Sequence, residues 1–265
     1  MSGRRLIITL TNPIPPEAEL SKDSVARKLR DSSSIFKDGV FFTGSENNGG
    51  NAVGALYPLL HLNMDKPTIK TLLERPKKFI KSIGIGSFNY GMVQGVFTEL
   101  EQILVTKERQ PVFETNAIVL LGCKVMESGS RTAKSLEKYW KAWTNINLLK
   151  TFILQAKIEV QNISFLRQTS PGNNKMFMYI MLMNVKVEDY NQEMSILDGL
   201  QKMRGSIVAC YAALYKVSGD LSRSKSEESM ENLIEVVSGG TEKSRRRRSK
   251  KESRSERRSK SVNTL

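Results

Sequence analysis

AKIEVQNISFLRQTSPGNNKMFMYIMLMNVKV, residues 156–187, decides the fold. Ala156, Ile158 and Val160 alternate with Lys157, Glu159 and Gln161, the two-residue period of a strand with one buried face. Pro171-Gly172-Asn173-Asn174 then turns the chain. Met176 to Val187 returns as an almost unbroken apolar run, which places the second arm of this hairpin centrally in its sheet.

Moving toward the N-terminus, the period becomes helical. Tyr139, Trp143, Ile146, Leu149 and Ile153 recur at three- and four-residue steps, and predict one helix over Arg131–Leu154. Before it, Val96–Thr106 and Val112–Met126 flank Glu108-Arg109-Gln110-Pro111 and read as a first hairpin. Nearer the start, Arg5–Thr11 is a short strand closed by Asn12-Pro13, Ser21–Ile35 a modest helix, Gly39–Thr43 a strand and Asp65-Lys66-Pro67 a helix start. Toward the C-terminus, Leu197, Leu200, Met203, Ile207, Cys210, Leu214 and Val217 keep helical spacing and predict a long core helix over Asn191–Val217.

The order β-α-β-α-ββ-α-ββ-α predicts an α+β fold: a mostly antiparallel sheet built from two hairpins packed by long helices, with a disordered basic C-terminal tail. The hairpin-helix unit recurs at about 88–155 and 156–217, a faint sign of duplication. The organisation expected is a globular domain over residues 1–217, an acidic linker over 218–240 and an Arg/Ser-rich tail over 241–265.

Charge follows that division. The 265 residues carry 41 Lys plus Arg against 27 Asp plus Glu, a net +14. Residues 241–265 hold 11 of the bases and 3 Glu, whereas 218–240 is net −3. With almost no apolar residues after Val237, the tail cannot bury enough surface to offset the entropy of ordering it. Such a balance favours polyanionic partners.

Within the tail, Arg245, Arg246, Arg247, Arg248, Lys250, Lys251, Arg254, Arg257, Arg258 and Lys260 are separated by small polar residues. A flexible chain of this kind lays cations along a phosphate backbone without base readout. The same run suits nuclear import. Ser249 and Ser259 each follow an Arg-Arg pair and are phosphorylation candidates, each phosphate removing about 1.5 to 2 charges.

A second basic group, Lys66, Lys70, Arg75, Lys77, Lys78 and Lys81, lies near Phe79, Phe88 and Tyr90. Cations beside aromatic platforms suit a single nucleic-acid strand. The alternative is a helix whose Phe79, Ile80 and Ile83 face the core and whose lysines face water.

Other signals point away from catalysis. His61 is the one histidine, flanked by leucines, and reads as a hydrogen-bonded near-core residue. Glu99, Glu101 and Glu114 sit on the first hairpin and read as solvent-facing acids rather than a converging carboxylate set. Gly84–Gly91 lacks the Gly-Lys-Ser/Thr ending of a phosphate loop, and Asn162-Ile163-Ser164 matches a glycosylation acceptor by chance. Met176, Met178, Met181 and Met183 read as packing. Cys123 and Cys210 have no paired spacing, so neither a disulfide framework nor a zinc site is expected, and no metal or cofactor.

A compact body with an Arg/Ser-rich end resembles, in organisation, small viral structural proteins of capsid or nucleocapsid type. The resemblance rests on the last 25 residues. The sequence therefore predicts a non-enzymatic nucleic-acid-binding protein, RNA favoured, with no small-molecule substrate. The alternative is a viral matrix-like or movement-type protein that self-associates and meets an acidic membrane or ribonucleoprotein. No apolar run is long enough to span a bilayer, and the expected location is the cytoplasm or nucleus, neither secreted nor transmembrane.

Overall fold

The computed structural model describes residues 3–15, 20–45, 55–85, 88–105, 115–124, 130–171, 177–204 and 210–217. The acidic linker and basic tail expected over 218–265 lie outside the described residues, and with them the ten candidate phosphate-binding cations named above, Ser249 and Ser259.

The first half of the chain runs β1 (Arg5–Thr11), α1 (Lys22–Ser32), α2 (Ser34–Lys37), β2 (Gly39–Gly44), β3 (Leu59–Asn63), α3 (Lys66–Glu74), β4 (Ser82–Ile85) and β5 (Phe88–Leu104). The second runs β6 (Ala117–Cys123), α4 (Ser130–Lys138), α5 (Trp140–Trp143), α6 (Ile146–Gln155), β7 (Glu159–Ser170), β8 (Tyr179–Lys186), α7 (Tyr190–Arg204) and β9 (Cys210–Val217). Setting β4 aside, each half is β-α-β-β-α-β. The strand order in space is β5-β1-β3-β2 in the first and β9-β6-β8-β7 in the second. This is the split β-α-β, or ferredoxin-like, arrangement twice over.

The halves join edge to edge. β2 pairs with β9 and β5 pairs with β7, all antiparallel, so eight strands close into a ring and β4 hangs as a hairpin partner on the start of β5. Closure removes the open edges that a four-stranded half would expose. Alternation along each strand then fills two kinds of core. Leu6, Ile8, Leu10, Phe42, Leu60, Leu62, Phe97, Ile118, Leu120, Leu166, Ile180, Leu182 and Tyr215 pack inside the ring. Outside, Val119, Leu121, Phe165, Met181 and Leu214 meet Trp140, Leu149, Ile153, Ile196 and Leu200 of the second half's helices. Ile7 and Val96 meet Ile69 and Leu72 of α3. Strands covered on both faces become continuous apolar runs, which is why AIVLLGC of β6 is buried at every position.

Helix starts follow local chemistry. Ser21 Oγ accepts from Ser24 N at 3.1 Å to cap α1. Asp65 Oδ2 accepts from Thr68 N at 2.8 Å to cap α3, and Pro67 sits in the first turn where no amide partner is needed. In the matching place of the second half, Asp189 Oδ1 accepts from Gln192 N while Gln192 Oε1 accepts from Glu188 N, both at 2.8 Å.

Several expectations are corrected. The fold is a closed antiparallel barrel of eight strands with short flanking helices, not two hairpins packed by long helices. The arms of the first expected hairpin exist as β5 and β6 but do not pair: β5 lies between β1 and β7, and β6 between β8 and β9. The duplicated unit is accordingly each half, with its boundary between β5 and β6 rather than near residue 155.

The long helix over Asn191–Val217 stops at Arg204, and Cys210–Val217 is a strand. The spacing Cys210, Leu214, Val217 imitates a helix, but Ala213 and Tyr215 point into the ring while Ala212 and Leu214 point out, the true period being two. The helix over Arg131–Leu154 is three short ones, broken at Tyr139 and at Thr144-Asn145, where Asn145 takes a left-handed φ of 51°.

Candidate ligand pocket

A cavity of about 700 Å³ opens where the start of β1, the end of β3 and the first two turns of α3 come together. The antiparallel register that pairs Ile7 with Asn63 carries the chain ends past one another, and so brings Arg4 and Arg5 beside Met64 and Lys66. The floor is apolar, from Met64, Ile69 and Leu73, and the rim is cationic, from Arg4, Arg5, Lys66 and Lys70. Lys66 and Lys70 share a face because they are four residues apart on one helix, with Ile69 and Leu73 turned toward the floor.

The four cations differ in what holds them. Arg4 Nη2 donates to Glu99 Oε1 at 2.8 Å and to Ser164 Oγ at 3.3 Å, tying the rim to the polar end of the barrel interior. Its Nε is buried with no hydrogen-bond partner. Gly3 permits this approach, since a Cβ there would stand 2.0 Å from the Glu99 carbonyl oxygen. Lys70 Nζ lies 3.9 Å from Glu74 Oε1, one turn on, and both are exposed. Arg5 and Lys66 are exposed and make no ion pair among the described residues.

The internal basic group expected from sequence is thus divided. Lys66 and Lys70 line the pocket, while Arg75, Lys77, Lys78 and Lys81 are exposed beyond it. Of the expected aromatic platforms, Phe79 is buried with Ile7, Ile69 and Leu72 and Tyr90 with Phe41 and Met92, while Phe88 is half-buried against the same cluster as Tyr90. Arg4 and Arg5 were not singled out by sequence. The signal was their position directly before a strand, but only the strand register reveals what they face.

Other candidates are dispersed. Glu99 and Glu101 would share a face in a regular strand, but a bulge between them sends Glu99 to Arg4 and Glu101 to the opposite side. There Glu101 accepts from Trp140 Nε1 at 2.7 Å and Lys141 Nζ at 2.6 Å, contacts that hold its carboxyl below the usual range. Glu114 lies outside the described residues. Asn162 and Ser164 are buried, so the glycosylation match is not accessible in the fold. Gly84 and Gly91 belong to the β4–β5 hairpin, and 86–87 lie outside the described residues. Met176 also lies outside them; Met181 and Met183 pack under the second half's helices.

His61 is fully buried between Phe36 and Phe41, with ring centroids 5.1 and 4.5 Å away. Neither ring nitrogen has a hydrogen-bond partner, contrary to the expectation of a bonded histidine. Burial, helped by the Arg30 charge, pushes its pKa down to about 3. Cys123 is disulfide-bonded, and its Cα partner across the β6–β9 ladder is Cys210; sequence spacing carries no information about such a cross-strand pairing. Among the described residues, no group of three His, Cys, Asp or Glu could hold a metal, and no helix is long and apolar enough to cross a membrane.

Fold and pocket define a single-chain α+β barrel made of two ferredoxin-like halves, with a small cationic cavity at one mouth. The chain belongs to the family known as domain of unknown function DUF7153, whose model matches residues 36–217. No curated protein matches it by sequence. Among solved structures it is similar to an anthrone oxidase-like protein, at 8% identity and a TM-score of 0.45, covering 82% of this chain and 94% of that one. It is also similar to a protein of Fusobacterium nucleatum assigned as a monooxygenase, at 10% identity and a TM-score of 0.40, with 82% and 94% covered. A third is chlorite dismutase of Candidatus Nitrospira defluvii in complex with imidazole, at 10% identity and a TM-score of 0.38, with 82% and 92% covered. On such likenesses none of those activities transfers to this chain.

The functional expectations from sequence are corrected accordingly. A viral, non-enzymatic nucleic-acid-binding protein, and its matrix-like alternative, were expected of hairpins packed by long helices beside a basic stacking face; the structure has instead a closed barrel, in a family of unknown function, whose internal basic group is divided. Phe79 and Tyr90 of the stacking surface that reading required are buried, and the cavity lined by Lys66 and Lys70 is of small-molecule size. The expectation of no small-molecule substrate is corrected by that cavity, and the expectation of no enzyme, which rested on the lack of a catalytic constellation in the sequence, is not carried forward.

Proposed function

We propose that this protein binds a small organic anion in the pocket between β1, β3 and α3. The observation that supports the reading is the crowding of Arg4, Arg5, Lys66 and Lys70 over the apolar floor of Met64, Ile69 and Leu73. Like charges held together at a protein surface repel one another, and an anion seated among them relieves that repulsion while its apolar part leaves water. The volume falls within the roughly 300–1,000 Å³ usual for ligand sites.

Titration with the apolar anion anilinonaphthalene sulfonate tests this reading. Its fluorescence should rise on the folded protein, and Lys66→Glu should weaken binding by about tenfold or more. Undiminished binding to that variant would count against the pocket. We further propose a cytoplasmic or nuclear setting, supported by the Arg245–Arg248 run, which suits an import receptor and could be tuned by phosphate at Ser249 or Ser259. A fluorescent fusion that enters the secretory route would contradict it.

A further inference from the structure

We infer that this protein forms a two-fold dimer in which residues 101–105, at the end of β5, pair antiparallel with the same residues of a second copy of the chain. β5 outruns its neighbour on one side. β1 pairs with it from Met92 to Thr98, and that ladder ends with Glu99 N donating to the Arg4 carbonyl oxygen at 2.8 Å. β7 pairs with it onward to Leu104, and Val105 N donates to the Gln161 carbonyl oxygen at 3.1 Å. Residues 101–105 are therefore held on the β7 side and, among the described residues, have no strand on the other.

Alternation fixes which backbone groups are free. Val105 and Gln161 form a hydrogen-bonded pair, so Ile103 bonds to Ile163 in the same way, and the N–H and C=O groups of Gln102 and Leu104 point away from β7. Neither Lys nor Pro, the residues that commonly guard a sheet edge, occurs over 101–105, and the one acid there, Glu101, is engaged by Trp140 and Lys141. Leu104 and Val105 are each 45% exposed, and Leu100, which the bulge leaves without a partner on β7, is 37% exposed.

The segment matches itself. The antiparallel register that sets Gln102 against Leu104 of the second copy, and Leu104 against its Gln102, satisfies all four outward groups with four hydrogen bonds. It places Ile103 opposite Ile103 at the axis, in the close non-hydrogen-bonded position, and Glu101 opposite Val105, so no like charges face one another. An unrelated strand would meet the backbone groups equally well. What favours a second copy is that these same residues supply, in one register, both the matching groups and compatible side chains. Five residues a side bury well under the roughly 1,200 Å² of a standard interface, so the dimer is weak and forms only at high protein concentration.

Sedimentation equilibrium of the full chain over about 5 to 500 μM tests the inference, and the mass should rise from one chain toward two. Gln102→Pro removes an outward donor and leaves the pairing with β7 intact. It should weaken self-association by about tenfold or more, while the chain at the lowest concentration unfolds at the same denaturant concentration. Gln102 and Leu104 are exposed, so charges can replace them without entering the core. Gln102→Glu/Leu104→Glu sets like charges across the interface and should hold the chain monomeric, whereas Gln102→Lys/Leu104→Glu sets opposite charges and should bring association to within a few-fold of the wild type at low salt.

A single chain at every concentration would overturn the dimer and leave the edge to the chain itself or to another protein's strand. Association indifferent to Gln102→Pro would place the interface elsewhere and overturn the inference as well. Equal association of the two double variants would overturn the register.

Discussion

Arg4 Nη2 and Glu99 Oε1 meet at 2.8 Å at the mouth of the barrel, joining the residue before β1 to the strand that β1 pairs with. The contact holds one rim cation in place and also neutralises it. Glu99 is the less exposed partner, at 12% against 30% for Arg4. Glu99→Gln should therefore act in opposite directions on two measurements. Chemical denaturation should show a loss of about 1–2 kcal/mol, the cost of leaving a partly buried guanidinium without its carboxylate, reduced by the exposure of Arg4. Affinity for an organic anion should rise several-fold, because Arg4 becomes a free charge on the rim. A variant that loses affinity along with stability would show Glu99 to be part of the binding surface rather than a competitor for Arg4.

His61 gives the fold an acid weakness. Its folded pKa, about 3, lies below the ordinary histidine value of 6.5 because burial disfavours the charged ring and Arg30 adds repulsion. The unfolded chain therefore binds a proton that the folded one refuses between those values. Stability is full above about pH 6.5 and falls as pH drops toward 3, by up to about 1.4 kcal/mol per pH unit. Urea midpoints measured from pH 7 to 4 should decline in the wild type and decline less in His61→Leu. Parallel curves would show that the ring finds a partner when it is protonated.

Gly39 is the residue that makes room for that ring. A Cβ at Gly39 would stand 2.0 Å from His61 Nε2 and 2.6 Å from the Leu62 carbonyl oxygen. Gly39→Ala should cost about 1–3 kcal/mol in denaturant unfolding through overpacking. Combined with His61→Ala, the loss should be smaller than the sum of the two single losses, since the main obstacle is then gone. Additive losses would place the strain in the backbone contact alone.

On the other side of the barrel, Tyr179 donates to Glu137 Oε1 at 3.2 Å, where Arg167 Nη1 also donates at 2.8 Å. Burial, then the Glu137 charge, pushes the phenol up to about 12. In an ultraviolet titration of the tyrosines, the Glu137→Gln variant should ionise one of them at lower pH than the wild type does. An unchanged titration would assign the shift to burial alone.

The sequence revealed strands more readily than their partners. The β7–β8 pairing was legible because the turn-forming residues Pro171-Gly172-Asn173-Asn174 separate two runs of strand character that lie next to one another in sequence, and those two strands do pair. β5 and β6 were equally clear as strands, but they are consecutive in the chain and apart in the sheet, because each ends or begins a half. Only the repeat of β-α-β-β-α-β over the whole chain would have shown that, and Cys210–Val217 hid it by matching a helical spacing that its burial pattern does not follow.

The site was half legible for a related reason. Lys66 and Lys70 announced themselves by helical spacing behind the Asp65-Lys66-Pro67 cap. Arg4 and Arg5 join them through a pairing between residues more than fifty positions apart, which no local pattern carries. The opposed directions of Glu99 and Glu101 depend on a single-residue bulge, equally invisible to a count of alternation. Net charge pointed toward the tail, and the cations that share a cavity belong to the barrel.

The most direct test of the pocket is calorimetric titration of octyl phosphate into the full chain and into the double variant Arg5→Gln/Lys66→Gln, at pH 8. The wild type should bind one molecule per chain, and the double variant should bind at least about tenfold more weakly while unfolding at the same denaturant concentration. Equal affinity in the two proteins would contradict the assignment of this cavity as the binding site.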